Sequence, residues 1–190
     1  LLGISFWNAN DEVSTIPMAP GITESAVNDL IMLEYDSEKS LRYIEQHADE
    51  IAAVLVEPVQ SRRPDIQPKE FLQKLRSITA NADIALIFDE VVLGFRIAPG
   101  GAQEYFGVQA DISTYGKVLG GGLPIGVVAG SSRFLDSIDG GQWKYGDDSV
   151  PMRSAARTFV GGTFCHNHYT ISAANAVLDY ILENRDTMYV

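Results

Sequence analysis

Ile51-Ala52-Ala53-Val54-Leu55-Val56, closed by Glu57-Pro58, and Ile84-Ala85-Leu86-Ile87-Phe88, closed by Asp89-Glu90, are the two runs that decide the fold. Each is a continuous apolar stretch of strand length ended by polar residues, the pattern of a strand covered on both faces. Between them Phe71, Leu72, Leu75 and Ile78 recur at helical spacing after Pro68, which predicts an amphipathic helix at about Lys69 to Ala80. Two doubly covered strands joined through a helix should lie parallel with a right-handed crossover, so the fold class is α/β with a mostly parallel sheet. Ligands of such sheets gather at the carboxyl ends of the strands, where Glu57, Asp89 and Glu90 stand.

Working outward, short apolar segments at Ile112 to Tyr115 and Ile125 to Ala129 flank a Gly120-Gly121-Gly122 turn. Helices are predicted over about Arg133 to Ile138 and Tyr169 to Glu183, the second with Ile171, Ala174, Val177, Leu178 and Ile181 on one face. Upstream, Leu41 and Ile44 among charges predict a surface helix from Ser37 to His47, with Ser37 or Asp36 as its N-cap. Residues 1–36, with Pro17, Pro20 and Gly21 among short apolar patches, read mostly as loop. Residues 139–163, rich in Gly, Asp and Ser, read as a long loop of the kind that often carries function.

The composition narrows the classes. A chain of 190 residues with 46% hydrophobic and 21% charged positions has the make-up of a globular protein with a real core. Its 14 Lys+Arg against 25 Asp+Glu give a net charge of −11, which repels phosphate backbones and anionic lipid and argues against nucleic-acid and membrane partners. Cys165 stands alone, so no internal disulfide can form, and a reducing, cytoplasmic setting is the default. No apolar run approaches membrane-spanning length and no secretory leader is visible. A start without Met and a stop just after a predicted helix are those of a piece of a longer chain. Cys165-His166-Asn167-His168 holds ligand-type residues, but the two histidines are only two apart and no second cluster adds ligands, so it reads as a helix N-terminal region rather than a metal site. His47, on a charged helix, reads as solvated.

The chemistry concentrates in Phe88-Asp89-Glu90-Val91-Val92-Leu93-Gly94-Phe95-Arg96 and in Thr114-Tyr115-Gly116-Lys117-Val118-Leu119-Gly120-Gly121-Gly122, with Lys117 placed 28 positions after Asp89. Together with Glu57-Pro58-Val59-Gln60, Gly122-Leu123-Pro124-Ile125-Gly126 and Gly161-Gly162-Thr163, in this order, they resemble the class III aminotransferases of the fold-type I pyridoxal-phosphate enzymes, from about Ala52 to Glu183. Within that family the chain is similar to glutamate-1-semialdehyde aminomutase-like domains. Pro99-Gly100-Gly101-Ala102-Gln103 and Trp143-Lys144-Tyr145-Gly146-Asp147-Asp148-Ser149 resemble those embedded in hybrid polyketide and nonribosomal peptide synthases.

The resemblance implies a fold-type I large domain that binds pyridoxal 5'-phosphate. Asp89, at a strand end, would face the pyridine nitrogen and keep it protonated. Lys117, beside Gly116 and shortly before three glycines, would approach the flat ring closely and bond covalently to its aldehyde. Val91 would pack on one ring face and Gln60 would donate to the phenolic oxygen. Gly162 and Thr163 would reach a phosphate across a homodimer interface with a backbone N–H and a hydroxyl. Glu57 could orient Gln60, contact substrate, or simply end its strand, the reading preferred. The family's upstream segment with further phosphate contacts and a ring stack is not found in residues 1–36, nor is its small C-terminal domain with a substrate-carboxylate arginine. Residues 1–190 therefore read as a fragment of one aminotransferase domain.

The function implied is transamination between an amino donor and an oxo acceptor, the acceptor being a β-keto acyl chain held on an acyl carrier domain of the same synthase. A free-standing glutamate-1-semialdehyde 2,1-aminomutase is the alternative. A non-catalytic assembly domain that keeps the fold is a third, of another class; Asp89 and Lys117 argue against it, since a scaffold needs neither.

Overall fold

The computed structural model of the chain describes residues 2–8, 12–139, 158, 160–163 and 165–189. These form two units, Leu1–Tyr43 and Ile44–Val190.

In the first unit the segment expected to be loop contains an antiparallel hairpin of β1 (Gly3–Trp7) and β2 (Val13–Pro17), with Gly3 opposite Pro17 and Trp7 opposite Val13. Periodicity failed here because the alternation is inverted. Ile4 and Phe6 lie on the open face, 43% and 51% exposed, while Ser5 lies on the more covered face and shares a 2.6 Å hydrogen bond with Thr15. Asn8 closes the connection: its Oδ1 accepts from the Glu12 N–H at 3.0 Å and its Nδ2 donates to Glu12 Oε2 at 2.7 Å. The Trp7 ring meets Tyr43 edge-on and lies under the Lys39 ammonium, 3.8 Å from the ring centroid. Helix α1 (Glu38–Gln46) falls where its charge-flanked apolar pair predicts, with Leu41 and Ile44 both buried.

The second unit is the α/β body. Strands β3 (Ala53–Val56), β4 (Ala85–Asp89), β5 (Ile112–Tyr115) and β6 (Val127–Gly130) lie side by side in that order. The first three run parallel and β6 runs antiparallel to β5. Helix α2 (Lys69–Asn81) makes the β3-to-β4 crossover and buries Phe71, Leu72, Leu75 and Thr79. The central strand β4 is the core, with Leu86 and Phe88 fully buried. One ion pair ties helix to sheet: Arg76 donates to Asp111 Oδ2 at 2.7 Å, and the same oxygen accepts from the Leu86 N–H at 2.9 Å.

The expectation that both apolar runs are covered on both faces holds for Ala85–Asp89 and fails for Ala53–Val56. Strand β3 is the sheet edge in this chain, and Leu55 is 65% exposed. After the short helix α3 (Gly101–Phe106) and strands β5 and β6 come α4 (Ser132–Asp139) and α5 (His168–Met188), the latter longer than predicted. Asn167 caps α5, its Oδ1 accepting from the N–H groups of Tyr169 and Thr170, which explains the segment that superficially offers metal ligands. Most of the loop expected at 139–163, including Trp143 to Ser149, lies outside the described residues. Among the described residues no helix is long and apolar enough to cross a membrane.

Candidate active site

Parallel pairing brings two distant segments to one level of the sheet. Asp89, the last residue of β4, is in register with Thr114 of β5, and the Glu90 N–H donates to the Thr114 carbonyl at 3.0 Å. Chain exit from β5 then delivers Lys117, three residues after Thr114, just past the end of the strand that neighbours β4. A separation of 28 positions in sequence thus becomes a neighbouring pair of strand ends.

Asp89 is half-buried and only half engaged. Its Oδ1 accepts from the Val91 N–H at 3.0 Å and lies 3.4 Å from the Thr114 hydroxyl, whereas Oδ2 has no hydrogen-bond partner among the described residues. The bond to Val91 orients the carboxylate and leaves one oxygen for a further donor.

Lys117 opens a single 3₁₀ turn, Lys117–Gly120, with its own backbone left-handed at φ 46°. For a lysine that conformation costs roughly 1–2 kcal/mol. The turn persists because it is held on both sides. Leu119 is buried and its N–H donates to the Gly116 carbonyl at 3.1 Å, while α5 backs the following glycine, with Val177 Cγ2 3.1 Å from where a Cβ on Gly121 would lie. Gly116 is closely approached: a Cβ there would stand a tight 3.1 Å from the Ile125 carbonyl oxygen and in ordinary contact, 3.5 Å, with Val91 Cγ1. Val91 therefore lies directly against the backbone that carries Lys117, and Asp89, Val91 and Lys117 form one cluster with the lysine side chain exposed.

Gln60 and Glu57 lie just past the end of β3, at the same end of the sheet. Gln60 is half-buried and its carbonyl accepts from the Arg63 N–H at 2.8 Å. Glu57 Oε1 accepts from the Ser61 N–H at 2.9 Å, so Glu57 stabilises the turn after its strand, the simpler of its readings. Gly162 and Thr163 are exposed, and their contacts are local: the Gly162 carbonyl accepts from the Cys165 N–H at 3.1 Å.

Sequence reading missed the group beneath the cluster. Glu90 points the opposite way from Asp89, as successive residues leaving a strand do, and is 1% exposed. Its Oε2 accepts from the Ala102 N–H at 2.6 Å and its Oε1 from Gln103 Nε2 at 3.2 Å. Gln103 Nε2 also lies 3.1 Å from the Ser113 and Tyr115 hydroxyls, and Gln103 Oε1 accepts from the Ala110 N–H at 3.0 Å. Burial pushes the Glu90 carboxyl above its ordinary range, against the pull of the hydrogen bonds from Ala102 and Gln103. Burial, and then the neighbouring Glu90 charge, push the Tyr115 phenol up as well. The available signal was an acid immediately after the strand-end acid, with paired glycines ten and eleven residues on. Gly101 has φ 65°, and a Cβ there would collide with Glu90 Oε2.

The chain is similar to known proteins over most of its length. A glutamate-1-semialdehyde 2,1-aminomutase from Methanocaldococcus jannaschii is 41% identical over 164 residues, 85% of this chain and 35% of that protein. Another from Acetivibrio thermocellus is 38% identical over 89% of this chain and 37% of its own length. The chain thus spans little more than a third of these curated relatives. Among solved structures, an omega-transaminase from Sphaerobacter thermophilus superimposes with a TM-score of 0.77 at 32% identity, covering 93% of this chain and 39% of that one. A transaminase with pyridoxal phosphate bound gives 0.75 at 29% identity, covering 90% and 38%. These neighbours have the fold of type I pyridoxal-phosphate enzymes, to which the mostly parallel sheet conforms. Residues 8–188 match the family described as Aminotransferase class-III, and the chain belongs to this family of pyridoxal-phosphate-dependent enzymes.

Proposed function

We propose that this chain is the cofactor-binding part of an enzyme that transfers an amino group from an amino donor to an oxo acceptor, with Lys117 and Asp89 as its catalytic residues. The observation that carries the reading is the convergence of Asp89, with one carboxylate oxygen unengaged, and Lys117, on a strained turn, at adjacent strand ends. Those residues fit pyridoxal phosphate chemically: an acid for a ring nitrogen and an amine for an aldehyde, with the Val91 side chain packed against the Gly116 backbone between them. When bound, the cofactor supplies an electron-accepting ring that stabilises negative charge at the donor's α-carbon.

The chain's own groups do the rest. The Asp89 carboxylate, oriented by the Val91 N–H, would hold the proton on the ring nitrogen. The Lys117 amine would hold the cofactor through its aldehyde and, when free, would serve as the base that removes the donor's α-carbon proton and as the acid that passes it on. Val91 would pack against one ring face and Gln60 Nε2 would donate to the ring's phenolic oxygen. The Gly162 N–H and the Thr163 hydroxyl would hold the cofactor phosphate bound by a neighbouring subunit, and the complete enzyme would then be a homodimer.

For the acceptor we infer a β-keto acyl chain on an acyl carrier domain, resting on the resemblance of residues 143–149. The 99–103 segment carries less of that inference, because Gly101 and Gln103 are accounted for by the packing around Glu90. The relatives named glutamate-1-semialdehyde 2,1-aminomutase favour a second reading, transfer within one small molecule. Borohydride reduction of the cofactor-loaded protein in its native reading frame, followed by peptide mapping, tests the common core: label is expected on the Lys117 peptide, and label elsewhere, or none, overturns it. Turnover of glutamate-1-semialdehyde against that of a carrier-bound β-keto thioester then separates the two acceptors.

A further inference from the structure

One buried polar network has no task in the proposed reaction. Glu90 is a buried acid, and among the described residues no cation pairs with it. Apolar side chains of similar volume commonly stabilise a core as well as or better than a buried charged group. What the network provides instead is a rigid connection between two chain segments. Glu90 directly follows Asp89, and Gln103 bonds outward from Glu90 to Tyr115, two residues before Lys117. We propose that Glu90 and Gln103 are positioning residues that fix the spacing between the Asp89 carboxylate and the Lys117 amine; this rests on the cofactor site proposed above.

Three features make the link stiff. The Ala110 N–H needs an acceptor, so it sets the Gln103 amide with its oxygen toward Ala110 and its nitrogen toward Glu90 and Tyr115. Nε2 has two protons for three oxygens, so a hydroxyl proton of Ser113 or Tyr115 must complete the set, and the four groups settle together. Packing leaves no slack either: a Cβ on Gly94 would lie 2.7 Å from Tyr115 Cδ1 and 2.7 Å from the Glu90 carbonyl oxygen. The Tyr115 ring also packs on Phe95, with centroids 5.2 Å apart, and the Phe95 carbonyl accepts from the Tyr189 hydroxyl at 2.8 Å.

The test exchanges the two partners. Glu90→Gln alone sets an amide N–H against a donor, and Gln103→Glu alone sets two carboxylates together. In the double variant Glu90→Gln/Gln103→Glu, the amide at position 90 still accepts from Ala102 and donates to the carboxylate at position 103, which accepts from Ala110 and from the Ser113 and Tyr115 hydroxyls. The readouts are the rate of borohydride trapping of cofactor on Lys117, kcat and KM separately, and, without cofactor, amide exchange over residues 112–120. Each single variant should trap about tenfold more slowly, with kcat falling and KM nearly constant, and should exchange faster; the double variant should recover both. Tyr115→Phe, which keeps the ring packing and removes only the hydroxyl, gives the same loss in milder form should a single variant fail to fold. Tyr105→Phe, on the outer side of α3, is the control and should match the parent protein. Trapping and exchange at parental levels in the single variants and in Tyr115→Phe overturn the proposal. A parent protein that carries no label on Lys117 overturns the cofactor reading instead, while the exchange data still decide whether the network holds the turn.

Discussion

Replacing Gly101 with alanine puts a methyl group where Glu90 Oε2 already stands. Two costs follow. The residue has φ 65°, and an L side chain in that region costs roughly 1–2 kcal/mol. Moving the carboxylate aside also breaks its 2.6 Å bond from the Ala102 N–H, a hydrogen bond to a buried acid worth about 2 kcal/mol. The sum is about 3–4 kcal/mol, which lowers the melting temperature of a chain this size by about 10 °C. Gly107→Ala is the internal reference, because Gly107 has φ 67° but open space around its Cβ position. It should show the backbone cost alone, so the difference between the two variants isolates Glu90 at about 2 kcal/mol. Thermal unfolding followed by circular dichroism measures both. Equal destabilisation by the two substitutions refutes the claim that Glu90 is locked against Gly101.

Asp89→Asn keeps an oxygen for the Val91 N–H, so it should bind cofactor while turnover falls about a thousandfold, equivalent to about 4 kcal/mol of lost charge stabilisation at the ring nitrogen; turnover within threefold of the parent contradicts the role. Asp111 gives a pH test of the sheet. Burial alone raises its carboxyl, but the Leu86 N–H and Arg76 outweigh that and hold it below the usual carboxylate range. Its stabilisation is therefore present above the unfolded-state value and lost as pH falls through the lower folded value. Denaturation midpoints should show the parent losing stability relative to Asp111→Asn on the acid side, and parallel acid limbs refute it.

The sequence by itself determined the α/β class, because the apolar runs at Ile84–Phe88 and around Val54 are short enough for strands and too short for helices, and the Phe71–Leu75 spacing between them is that of a helix. It also marked Asp89 and Lys117, since an acid at a strand end and a lysine in a glycine-rich turn are chemically conspicuous wherever they fall. It failed at β1, where Ser5 rather than Ile4 faces the covered side, and at Leu55, whose exposure depends on what lies beside the sheet edge and not on its own hydrophobicity. Only the tertiary structure decided that Glu90 turns inward and meets Gln103, because that choice follows from the register of β4 against β5 and from a left-handed Gly101. Local spacing records what a residue can do with its neighbours along the chain. The Glu90 network joins residues that sequence separation hides, and its energy exists only once the sheet has excluded water from them.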